Sequence, residues 1–188
     1  METFSIENIS IDVERKRTKN IYLNIYPPDG YVRMVSPLRY DMETIRMCAI
    51  DKLKNIRIYQ KNMLETYSFL GKYLLKIVYA EGRQHVEIEN DNMVLYINKG
   101  ATPEKKQAIL DEWYREQLKV IIPKYISKWE EPMNVKVSAF RVRRMKSRGL
   151  CHIDDSSIVI NIELAKKPLE YLEYIIVHEM AHLLVPNH

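Results

Sequence analysis

The sequence predicts an α+β fold, and three observations carry that expectation. Strand signals crowd the first third of the chain, and helical periodicities close it. The strand-like runs of the later part are few and separated by helices, not alternating with them as a doubly wound sheet would require. At 188 residues the chain has room for one core and little for two, so a single domain over residues 1–188 is expected. Within it, a β-meander with helices should occupy about residues 1–100 and a second, more helical part about residues 101–188.

The elements follow in order. Phe4 to Val13, Asn20 to Tyr26 and Tyr31 to Ser36 carry partial alternation and β-branched or aromatic residues, which reads as strand. Pro27-Pro28-Asp29-Gly30 makes the turn between the second and third. Asp41 is a plausible N-cap for a helix whose buried face is Ile45, Cys48, Ala49, Leu53 and Ile56. Strands return at Tyr73–Tyr79, His85–Glu89 and Met93–Ile97, the last two joined tightly through Asn90-Asp91-Asn92. Thr102-Pro103-Glu104 opens a helix carrying Ile109, Trp113, Leu118 and Ile121, which Pro123 should kink or end. Asn134–Phe140 and Ser157–Ile162 read as a strand pair with a basic, irregular connection between them. Pro168 can open a final helix at its first turn, where Leu169, Leu172, Ile175, Ile176 and Leu183 recur at helical spacing.

That last helix holds His178-Glu179-Met180-Ala181-His182, the HExxH pattern. Histidines four residues apart share one helix face, where one Zn²⁺ can take both imidazoles while the intervening glutamate reaches a water. His188, six positions beyond His182 and just past Pro186-Asn187, can supply a third ligand and leave the fourth tetrahedral position open. The plainer interpretation makes both histidines hydrogen-bonded core residues and puts Glu179 on the solvated face. An unpartnered imidazole is costly to bury in so apolar a helix, and three histidines would have to fall at these spacings by accident.

The remaining signals bound the function. Nothing at the N-terminus has the basic-then-apolar pattern of a signal peptide, and no apolar run is long enough to span a bilayer. Cys48 and Cys151 show no motif spacing, so a reducing, cytoplasmic location is the default expectation. Cys151, His152 and His85 have no second-ligand spacing and are assigned no metal role. The net charge of +4 permits a polyanionic partner without requiring one. Arg141, Arg143, Arg144, Lys146 and Arg148 crowd one stretch, which could contact nucleic acid or nucleotide phosphates. Without aromatic residues interleaved at regular intervals, a solvated strand and loop is the better interpretation of it.

Arg144-Met145-Lys146-Ser147-Arg148, Ile158-Val159-Ile160-Asn161-Ile162-Glu163-Leu164, Pro168, Tyr174-Ile175-Ile176-Val177-His178-Glu179-Met180-Ala181-His182-Leu183 and Asn187-His188 together resemble the YgjP-like metallopeptidases, relatives of the SprT and WLM zinc proteases. The likeness is close from Lys146 to His188 and looser before it. It implies a zincin-like core with the HExxH helix packed on a small antiparallel sheet. It also implies zinc at His178, His182 and His188, with Glu179 as the catalytic base. Further, it implies that the Ser157–Ile162 strand borders the cleft, so that Arg148, Ile158, Ile160 and Asn161 become candidate substrate contacts, with a peptide adding to an exposed sheet edge. Two departures stand out. Gly149-Leu150-Cys151-His152 replaces the usual Trp-Gly-Ser-Cys, and the family's C-terminal helix is expected to be missing.

The expected activity is zinc-dependent hydrolysis of peptide bonds, the glutamate serving as general base and then general acid. A nucleotide (UTP-type) pyrophosphatase on the same metal site is the alternative within hydrolases, since some YgjP-like proteins are so described. No Gly-rich phosphate loop or carboxylate cluster for Mg²⁺ supports it. A DNA-associated adaptor without catalysis is the alternative of another class, suggested by the basic stretch and the SprT kinship. A peptide or protein substrate is the expected partner, with no membrane.

Overall fold

The computed structural model describes residues 2–185, apart from the side chains of residues 64 and 65. It is α+β, as the sequence predicts, and the chain divides into two compact units. The first comprises Met1–Tyr67 with Gly100–Gln107, and the second Ser68–Lys99 with Ala108–His188.

In the first unit, β1 (Glu2–Ile6), β2 (Ile9–Lys16), β3 (Tyr22–Tyr26) and β4 (Tyr31–Pro37) form a sheet in the order β1-β2-β4-β3. The run read as one strand from Phe4 to Val13 is two. Glu7 takes a left-handed φ of 52°, so the chain reverses over two residues and Ile6 comes opposite Ile9. β2 and β4 run parallel, with β3 outside β4, so the connectivity is not simply up and down. One helix was expected next, and two form: α1 (Met42–Asp51) and α2 (Leu53–Thr66). The Asp41 side chain caps α1 by accepting from Thr44 N at 2.8 Å. Ile45, Ala49 and Ile56 pack on the inner sheet face of Ile6, Ile11, Val13, Val32 and Met34, with Cys48 and Leu53 at the margin.

The second unit opens with β5 (Ser68–Phe69), β6 (Tyr73–Tyr79), β7 (His85–Glu89) and β8 (Asn92–Ile97), in the order β5-β6-β8-β7. The predicted tight turn is present: Glu89 pairs with Asn92, and Asn90 has a φ of 51°. The long helix α3 (Pro103–Met133) starts where Thr102-Pro103 predicts and does not end at Pro123. The missing N–H of Pro123 removes one helical bond, but tertiary burial on both sides of it outweighs that loss. Leu110, Tyr114, Leu118, Ile122 and Ile126 form the buried stripe, one residue out of phase with Ile109, Trp113 and Ile121. Among the described residues, no helix is long and apolar enough to cross a membrane.

The remaining elements build a three-stranded sheet from β9 (Ala139–Arg143), β10 (Gly149–His152) and β11 (Ser157–Asn161), ordered β10-β11-β9. β10 is antiparallel to β11, whereas β9 is parallel to it, so the sheet is mixed and not wholly antiparallel. A 3-10 turn (Ile162–Lys166) leads to α4 (Leu169–Ala181), which packs on this sheet through Leu172, Ile175, Ile176 and Met180. Pro168 takes the N-cap position, one residue before the helix that it was expected to open from within.

Candidate active site

α4 ends in the HExxH residues, and the burial pattern separates their roles. His178 is exposed and His182 half-buried, while Glu179 between them is only 5% exposed. This inverts the interpretation in which the histidines fill the core and the glutamate faces water. The imidazoles of His178 and His182 lie 4.8 Å apart between ring centroids, nearly perpendicular at 80°. Tyr174, one turn earlier, stacks on the His178 ring at 6.1 Å and 21°.

These side chains open into a cleft of about 470 Å³ bounded by α4 on one side and by β10 and its approach on the other. Ser147, Arg148, Gly149, Leu150, Cys151 and Ile153 form that second wall. Burial pushes the Glu179 carboxyl above its usual range, against the opposing pull of positive charge on His178 and His182. Burial likewise pushes the Cys151 thiol up, helped by the carboxylates of Glu179 and Asp155.

The donor chemistry suits a divalent cation. Two imidazoles on one helix face open into the same cleft, and a carboxylate set between them is held out of bulk water. His188, the third ligand expected from the sequence, lies outside the described residues. Among the described residues, no group of three His, Cys, Asp or Glu side chains converges on a single metal position.

The sequence-derived substrate contacts separate into two groups. Arg148 lines the cleft, its guanidinium 5.8 Å from the centre of the Tyr171 ring. Ile158, Ile160 and Asn161 do not line it. β11 is buried along its whole length and is paired on both sides, so it has no free edge to offer a peptide. The strand that borders the cleft with one edge unpaired is β10, which the sequence hides inside the irregular basic connection.

Asn161 serves that wall from behind. Its Nδ2 donates to Met145 O at 2.8 Å and Ser147 O at 2.7 Å, and its backbone N–H donates to Arg148 O at 3.1 Å. Its Oδ1 accepts from Glu163 N at 3.1 Å, capping the 3-10 turn. Arg144 is also committed inside the unit, pairing with Asp111 at 2.8 Å and with Glu163. Arg141, Arg143, Lys146 and Arg148 of the same basic stretch are exposed, as Arg144 itself is.

Gly149, Leu150, Cys151, Ile153 and Tyr174 were not singled out as cleft residues from the sequence. Only Tyr174 left a signal there, four positions before His178 and so on the same helix face.

Comparison with known proteins gives a family for the chain. The family described as YgjP-like, metallopeptidase domain matches residues 19–188. No curated protein and no solved structure matches the chain. With nearly the whole sequence covered, the chain belongs to the YgjP-like metallopeptidase domain family.

Proposed function

We propose that this YgjP-like domain is a zinc-dependent peptidase whose centre is His178, Glu179 and His182, with His188 as the remaining ligand. The observation that carries this reading is the buried carboxylate of Glu179 set between two imidazoles that open into one cleft. A zinc ion held there would polarise the scissile carbonyl and acidify a water.

The chain's own groups do the rest. His178 and His182 would hold the ion through ring nitrogens. Glu179 accepts a proton from the attacking water on a carboxylate oxygen and delivers it to the departing amine nitrogen, acting as base and then acid. Its desolvation suits that cycle, because a carboxylate kept from bulk water takes up a proton more readily. An extended substrate adds to the free edge of β10, where alternate backbone N–H and C=O groups point away from β11. Leu150, Ile153 and Tyr174 expose apolar surface to the same cleft, which favours an apolar side chain beside the scissile bond. Arg148, on that wall, offers its guanidinium to a substrate carbonyl or carboxylate.

The test is a zinc-loaded peptide-hydrolysis assay with two variants. Glu179→Gln should retain zinc and lose turnover by at least about 10²-fold, as expected when a general base is removed. His182→Ala should instead lose the metal, read directly by elemental analysis. Full activity in Glu179→Gln, or full metal content in His182→Ala, would refute the assignment.

A further inference from the structure

We infer that Gly149 is a positioning residue for the reaction: its missing side chain sets where the Glu179 carboxylate rests. This rests on the reading of Glu179 as the base. A Cβ built on Gly149 would lie 2.4 Å from Glu179 Oε1, 2.6 Å from Cδ and 2.7 Å from Cγ. Non-bonded carbons settle at about 3.5–4.0 Å, so the carboxylate and a side chain at 149 cannot share this space. Glycine is not needed there for its backbone freedom, because Gly149 is not among the positive-φ residues. The requirement is the space itself.

The strand side cannot readily give way. Gly149 pairs with Ile160, which is fully buried, and the residue before it is held by the Asn161 N–H bond to Arg148 O. The carboxylate has no comparable tether: no hydrogen bond from the described residues fixes Glu179, so packing against the Gly149 backbone defines its place. The overlap falls on a flexible side chain, from its Cγ outward. An alanine at 149 is therefore accommodated by swinging the carboxylate aside, with the fold intact. The loss then falls on chemistry, since a base must stand within hydrogen-bond reach of its proton and about 1 Å of misplacement can cost about 10²-fold.

The experiment compares the zinc-loaded full chain with Gly149→Ala. Zinc content should be unchanged, and KM should stay within about two-fold while kcat falls by about 10- to 100-fold. A crystal structure of the variant should show the carboxylate displaced from strand β10. A truncation supplies the cycle. Glu179→Ala removes Cγ, Cδ and Oε1 together and so clears a Cβ at 149, and adding Gly149→Ala to it should cost at most a few-fold more of the residual activity. An undisplaced carboxylate in the crystal overturns the inference, as does an equal loss from Gly149→Ala in both backgrounds. If the parent chain hydrolyses no peptide, the reading of function fails by itself, and the displacement alone decides the role of Gly149.

Discussion

Arg144 stands in the most basic stretch of the sequence, yet its charge is paired within its own unit. It bridges Asp111 on α3 and Glu163 on the 3-10 turn, and Lys166 adds a second cation to Glu163 at 2.9 Å. Burial alone would raise the Glu163 carboxyl, but Lys166 and then Arg144 outweigh it and hold it below the usual range. A depressed folded-state pKa contributes stability that is complete above the unfolded value, about 4.3, and is lost as pH falls through the folded one. Arg144 is half exposed, so solvent screens both pairs, and together they contribute about 1 kcal/mol. Arg144→Ala should lower Tm at neutral pH by about 2–4 °C. That gap should narrow in acid as Glu163 protonates. An unchanged Tm at pH 7, followed by calorimetry, would show that neither pair stabilises the fold. Adjacent positions here carry unrelated duties, and composition cannot separate them, because partners 19 and 33 positions away decide which arginine is engaged.

At the level of elements, the candidate centre was legible and its wall was not. His178, Glu179 and His182 announce themselves because helix geometry turns a spacing of four into one face, a purely local rule. β10 is short, begins with glycine and directly follows a run of cations, so its strand character comes from pairing with β11 and not from its residues. α3 passing Pro123 has the same cause, as burial of Leu118, Ile122 and Ile126 overrides a local breaker. β11 was expected to border the cleft, and β10 borders it instead. β11 is the central strand, and its last residue, Asn161, ties down the approach to β10. Asn161→Ala would leave Met145 O and Ser147 O without their donor and uncap the 3-10 turn. A cost of about 1–3 kcal/mol is expected, equivalent to a Tm drop of at least about 2 °C. Activity should fall with zinc content unchanged, because the cleft wall loosens while both imidazoles stay on α4. If Asn161 contacted substrate directly, KM would rise with Tm unaltered, and denaturation curves beside Michaelis profiles separate the two.

At the scale of the whole molecule, two four-stranded sheets share one topology. Each places a parallel pair in its middle, β2 with β4 and β6 with β8, and an antiparallel strand on either side. Hydrophobic periodicity identifies strands but not their neighbours, which is why the sequence suggested a meander where each sheet crosses over. The three-stranded sheet differs, because its edge strand β10 borders the cleft. Every element that builds the cleft belongs to the second unit. Amide hydrogen exchange tests that arrangement. In the free protein β11, buried and paired on both sides, should exchange slowest within its sheet, while the outward N–H groups of β10 exchange faster. Adding an extended apolar peptide to zinc-loaded Glu179→Gln should slow the amides of residues 149–152 and leave the strands between residues 2 and 37 unchanged. Strand addition predicts that selectivity, since a peptide held only by its side chains would leave the backbone amides of β10 in water. Protection confined to the first unit, or absent from β10 while the peptide is bound, would place the substrate elsewhere.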